Sequence, residues 1–206
     1  MLFNILALIS VLMFLTLLKR FVAIFPSMLA CVMRWKESIN LEASVKLSND
    51  RNRIALAMAI PFCLVAYRFN LYAPEFMEKF DENIRLAIIV GIFTTYVILK
   101  IILHKSFRPH RGNNRIYDTA GKASLTFMII LAIILMAMGG VMTFAGVEED
   151  VIRNAMLWVS IVTYAMLLLR KTQIFVSSCS IFTAFLYLCA LEILPTGILV
   201  VPAIIF

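Results

Sequence analysis

Six long runs of apolar residues constrain this chain more than any motif does. They lie at about residues 2–18, 54–72, 84–103, 124–145, 152–169 and 175–195. A helix of about 20 apolar residues crosses the roughly 30 Å hydrocarbon layer of a bilayer. Within that layer a helix satisfies its own backbone hydrogen bonds, which an open strand cannot do. The expectation is therefore an all-α, polytopic transmembrane helix bundle of six spans. Composition leaves room for little else: 63% of the residues are hydrophobic and 15% charged, and the mean hydropathy is +0.96. The polar stretches 34–53 and 105–122 are too short to bury cores of their own, so residues 1–206 read as one integral membrane domain.

The first run has no basic residue before it; Lys19 and Arg20 follow it instead. This is the reverse of a secretory signal, so Leu2–Leu18 is expected to remain as a span. Phe21–Met33, interrupted by Pro26, either extends that span or lies at the interface. The four cysteines, Cys31, Cys63, Cys179 and Cys189, lie in or beside apolar segments with no metal-ligand spacing. They read as small buried hydrophobes.

Charge sets the expected orientation. Fourteen of the nineteen Lys and Arg residues fall on one side if loops 34–53, 105–122 and 170–174 are cytoplasmic, and only Lys79, Arg85 and Arg153 fall on the other. The positive-inside rule then puts both termini in the periplasm. The same bias accounts for the net charge of +7, which in a soluble chain would suggest nucleic acid; no nucleic-acid partner is expected. Lys100, near the end of the third span, is expected to snorkel to the headgroups.

Two residues stand out inside the spans. Glu192 is the one acid within an apolar run, and Arg68 is a base in the second run. Each lies roughly 20 Å up its helix from the cytoplasmic end, at 1.5 Å per residue. An unpaired charge near mid-membrane costs on the order of 2.5–3.5 kcal/mol. The expectation is an Arg68–Glu192 ion pair joined by Tyr67 or Tyr187, serving as an inter-helix clasp or as a substrate and proton site. Pro61 and Pro195 are the candidate helix breaks, since each leaves a carbonyl four residues back without its donor.

The basic loop holds Arg108, His110, Arg111 and Arg115, candidate contacts for an anionic lipid head group; a solvated positive-inside loop explains them as well. His104 and His110 are the only histidines, and neither lies within a predicted span, so an intramembrane bis-His haem is excluded. No metal site, no cofactor and no catalytic residue is expected, and the chain contains no HExxH, GxSxG or P-loop. The serines at 177, 178 and 180 read as helix caps.

Several segments together resemble a known family. They are Arg51-Asn-Arg-Ile, Tyr67-Arg68, Leu71-Tyr-Ala-Pro74, Gln173-Ile, Cys179-Ser and the run Phe185-Leu-Tyr-Leu-Cys-Ala-Leu-Glu-Ile-Leu-Pro195. They resemble a Bacteroidota-type inner-membrane family known only as a domain of unknown function, over roughly Arg51–Val200. The resemblance implies a bacterial inner (cytoplasmic) membrane location and no particular reaction.

Three functional readings stay open. The first is a non-enzymatic protein of envelope biogenesis that moves a solute or lipid-linked substrate. The second is a structural or assembly subunit with a membrane protein partner, or a homodimer. The third is an enzyme acting on a lipid head group. The bilayer itself, with anionic lipid in it, is the expected partner in each.

Overall fold

The computed structural model describes residues 2–72, 80–107, 114–177 and 180–205. Nearly all of them are helical, and no strand occurs among them. Helix α1 spans Leu2–Met33, α2 Trp35–Ala43, α3 Val45–Arg68, α4 Glu82–Ser106, α5 Asn114–Phe144 and α6 Glu149–Val176. The last segment is α7 Ile181–Leu188, a π-helical turn Cys189–Ile193, and α8 Leu194–Ile205. Five segments are long and apolar enough to cross a membrane: Phe3–Met33, Glu82–Ser106, Ile116–Phe144, Glu149–Val176 and Ile181–Val200. This is the make-up of an integral membrane protein.

α3, the second of the six expected spans, is not among these five because it opens with Lys46, Asp50, Arg51 and Arg53, which dilute its apolar stretch. Other boundaries also move. Pro26 does not break α1; residues 21–33 continue the first helix. Part of the 34–53 stretch folds as α2, and α5 begins ten residues before the expected span. Arg170–Ile174, expected as a loop, are the last turns of α6. Pro195 lies within the final helical segment and does not end it.

Helix ends follow local chemistry. Ser44 caps α3, its hydroxyl accepting from the Leu47 amide at 3.4 Å. Beyond α3, Asn70 takes a left-handed φ of 47° and the Leu71 amide reaches back to the Ala66 carbonyl at 3.0 Å. Gly146, φ 71°, ends α5 in the same way, with Val147 bonding back to Met142 at 3.1 Å. Glu149 and Asp150 then open α6, where negative charge favours a helix N-terminus.

Packing centres on α3 and α5. α1, α2, α3 and α5 meet through Ile24, Met28, Leu41, Ile54, Met58, Ile129 and Ala132. α5, α6 and α7 meet through Tyr117, Phe127, Leu167, Ile174, Phe175 and Ala184. Lipid tails are as apolar as leucine, so close backbone approach rather than hydrophobic expulsion holds such helices together. The buried alanines at 55, 57, 120, 123 and 132 provide that approach. Gly139 is tighter still: a Cβ there would lie 2.7 Å from Met156 Cε and 2.9 Å from Phe69 Cε2, whereas Gly140 faces open space. Large apolar side chains on the outside, such as Leu8, Leu12, Ile102 and Trp158, are more than half exposed and suit a lipid surface.

Charges gather in two layers. At one end Arg68 meets Glu149 at 3.0 Å. At the other, Arg20 meets Asp50 at 3.0 Å, Glu42 meets Arg51 and Lys122, and Glu192 meets Lys100 and Lys171. Glu149 and Lys171 belong to the same helix, about 22 residues apart and hence roughly 33 Å along its axis. That separation matches the hydrocarbon thickness.

Candidate functional site

The site is built on the final helical segment. Ser180 caps α7, its hydroxyl accepting from the Thr183 amide at 3.3 Å, as expected of a serine at a helix start. Residues 178 and 179 lie outside the described residues. Farther along, Pro195 has no N–H to offer the Leu191 carbonyl, and its ring crowds that turn. The helix widens just before it: the Leu194 amide bonds to the Cys189 carbonyl, five residues back. Tyr164 of α6 donates its hydroxyl to the Glu192 carbonyl at 3.1 Å, supplying a partner to backbone in the widened turn.

Within that turn Glu192 points inward and is only 4% exposed. One carboxylate oxygen takes the Lys100 ammonium of α4 at 2.5 Å. The other takes the Lys171 ammonium of α6. Lys171, 2% exposed, also donates to the Ser124 hydroxyl of α5 at 2.7 Å. Lys100 lies 5.2 Å from the centre of the Tyr96 ring, and the Tyr96 hydroxyl lies 3.1 Å from that of Thr196. One acid thus draws together α4, α5, α6 and the last helix. Burying these charges is tolerable only because each ammonium has an acceptor and both carboxylate oxygens are filled.

The expected Arg68–Glu192 pair does not form. Arg68 is about half exposed and pairs with Glu149, while Glu192 pairs with a lysine some 22 residues farther along the same α6 helix. Equal residue counts from assumed loop ends misjudged depth, because α3 begins nine residues earlier than expected and Glu192 lies beside the end of α6. Lys100 and Lys171 sit only about 8–9 Å from the near ends of their helices. The tyrosines have other work too. Tyr67 packs against Phe3 at 6.0 Å; Tyr187 stacks on Phe175 at 5.8 Å and meets Tyr117 edge-on at 5.6 Å. Pro61, the other expected helix break, is buried inside α3, which runs through it unbroken. Arg108, His110 and Arg111 lie outside the described residues; Arg115 is in the first turn of α5, and its side chain is likewise outside them.

Sequence reasoning missed Lys171 and misread Lys100, which turns inward to Glu192 instead of snorkelling. Lys171 carried a signal: Leu167, Lys171, Ile174 and Phe175 share one helical face, and that face is buried.

Two further polar clusters lie at the same end. Glu42 binds Arg51, 2% exposed, together with Lys122 at 2.9 Å and Ser48 at 3.0 Å. Burial alone would raise the Glu42 carboxyl, but the Lys122 and Arg51 cations outweigh it and hold the group below its ordinary value. His104 stacks on Tyr117 at 4.2 Å and lies 3.7 Å from Asp118. Among the described residues no group of three His, Cys, Asp or Glu side chains could hold a metal ion. An open depression of about 430 Å³, lined by Trp35, Thr172, Gln173, Val176 and Ser177, does not include Glu192.

A family model described as a domain of unknown function, DUF4271, covers residues 3–201, a wider stretch than the Arg51–Val200 resemblance. No curated protein and no solved structure matches the chain.

Proposed function

The chain belongs to the DUF4271 family of unknown function, and from its geometry we propose a non-enzymatic membrane protein that serves as a structural or assembly subunit. Its fold is clamped by Glu192. The observation carrying this reading is the closure of the site: Glu192 is 4% exposed and Lys171 2%. A carboxylate with both oxygens held by lysines is unavailable as a base or nucleophile. The resemblance supports an inner-membrane setting in a double-membraned bacterium. The basic excess at the Glu192 end supports that end as cytoplasmic; with α3, which runs from Arg51 in that layer to Arg68 in the other, crossing as a sixth span, both termini are periplasmic.

A second reading, translocation of a solute or lipid-linked substrate, draws on the π-helical turn around Glu192. Such turns recur at functional sites, and intramembrane charges mark ion paths. Reconstitution separates the two. A clamp leaves an imposed proton gradient across liposomes intact, and gentle extraction retains a stoichiometric protein partner. Proton flux that disappears in Glu192→Gln would overturn the structural reading in favour of translocation.

A further inference from the structure

We propose that Lys100 binds the phosphate of an anionic phospholipid. Charge balance comes first. Two ammonium groups face one carboxylate, Lys100 and Lys171 against Glu192, which leaves one positive charge over in a low-dielectric setting. Such an excess is costly unless an anion meets it.

Accessibility says where the anion enters. The side chains of Lys171 and Glu192 are sealed at 3% and 5% exposure, whereas that of Lys100 is 19% exposed. The excess charge is therefore reached through Lys100. Lys100 lies inside the membrane-crossing segment Glu82–Ser106, so its exposed part faces lipid rather than bulk water. Lys100 lies about 9 Å from the Ser106 end of α4, within the leaflet whose headgroups border the basic end. The Tyr96 ring lies 5.2 Å from the ammonium, and its hydroxyl shares a 3.1 Å hydrogen bond with that of Thr196; the partner that accepts in that bond keeps its own hydrogen for a phosphate oxygen. One phosphodiester carries one negative charge, the amount left unbalanced. The argument for Lys100 uses none of residues 108–115, and it holds whether the Glu192 cluster is a static clamp or not.

The test uses the full chain with defined lipids. Purified protein is offered phosphatidylglycerol against phosphatidylcholine, and retained lipid is counted by native mass spectrometry. Wild type should prefer phosphatidylglycerol by about tenfold, Lys100→Gln should fall to near parity, and Lys100→Arg should keep the preference. A photoactivatable phosphatidylglycerol bearing its reactive group at the head should label α4 or α8 near Tyr96 and Thr196 in the wild type. This second measurement does not depend on any variant folding. Undiminished preference in a folded Lys100→Gln, or labelling confined to residues 108–115, would overturn the site. Free inorganic phosphate at millimolar concentration should not displace the lipid; if it competes fully, the site is one for soluble phosphate and the lipid assignment fails.

Discussion

Replacing Glu192 by glutamine keeps the shape of the side chain and removes its charge. Lys171, with 3% of its side chain exposed, would then have only the Ser124 hydroxyl and an amide oxygen as acceptors. Lys100 can turn toward the lipid edge, so the damage concentrates on Lys171. Removing one partner of a buried ion pair costs about 3–5 kcal/mol. At the roughly 2–4 °C per kcal/mol seen for chains of this length, the melting temperature should fall by about 6–20 °C. Helical circular dichroism on heating in a mild detergent reads it directly. The double variant Glu192→Met with Lys171→Met removes both buried charges and should recover most of the loss, because apolar replacement of an ion pair is often neutral. Lys100→Met leaves the Lys171 bond in place and should cost less, about 1.5–3 kcal/mol. The clamp argument fails if Glu192→Gln melts within about 2 °C of wild type, the shift expected for less than 1 kcal/mol. It fails equally if the double methionine variant is no better than the single one.

Three more outcomes are expected. Arg68→Ala should change stability by less than about 1 kcal/mol, because the Arg68–Glu149 pair is 54% and 72% exposed; a loss above 3 kcal/mol in the same melt would restore Arg68 to the core of the mechanism. Glu42 has a folded pKa below its unfolded one, so its contribution is complete above the unfolded value and is lost as pH falls through the folded value. Melting profiles between about pH 3 and 6 should therefore show an acid limb that flattens in Glu42→Gln, and an unchanged limb would count against the Arg51–Glu42–Lys122 network. Gly139→Leu should lower the melting temperature, since even a Cβ crowds Met156 and Phe69. Gly140→Ala should raise stability by up to about 1 kcal/mol, and equal effects at the two glycines would refute the packing assigned to Gly139.

What the sequence determined by itself was helicity and membrane residence, because both follow from local quantities. Apolar runs of spanning length oblige helices wherever water is absent, and the clustering of Lys and Arg marks two unlike ends without knowledge of any contact. It also singled out Glu192, since a carboxylate in a run such as Leu-Glu-Ile-Leu requires a partner. Which cation answers it was beyond reach. Arg68 and Glu192 share a residue count from their assumed helix starts, but depth depends on where each helix begins and how it leans, and those are settled by packing. α3 gained nine residues at its start; α6 continued through Arg170 and Lys171, placing Lys171 against Ser124 and Glu192. Partner choice is a long-range property, decided when α4, α5, α6 and the last helix come together and leave each buried charge only the neighbours that the bundle provides.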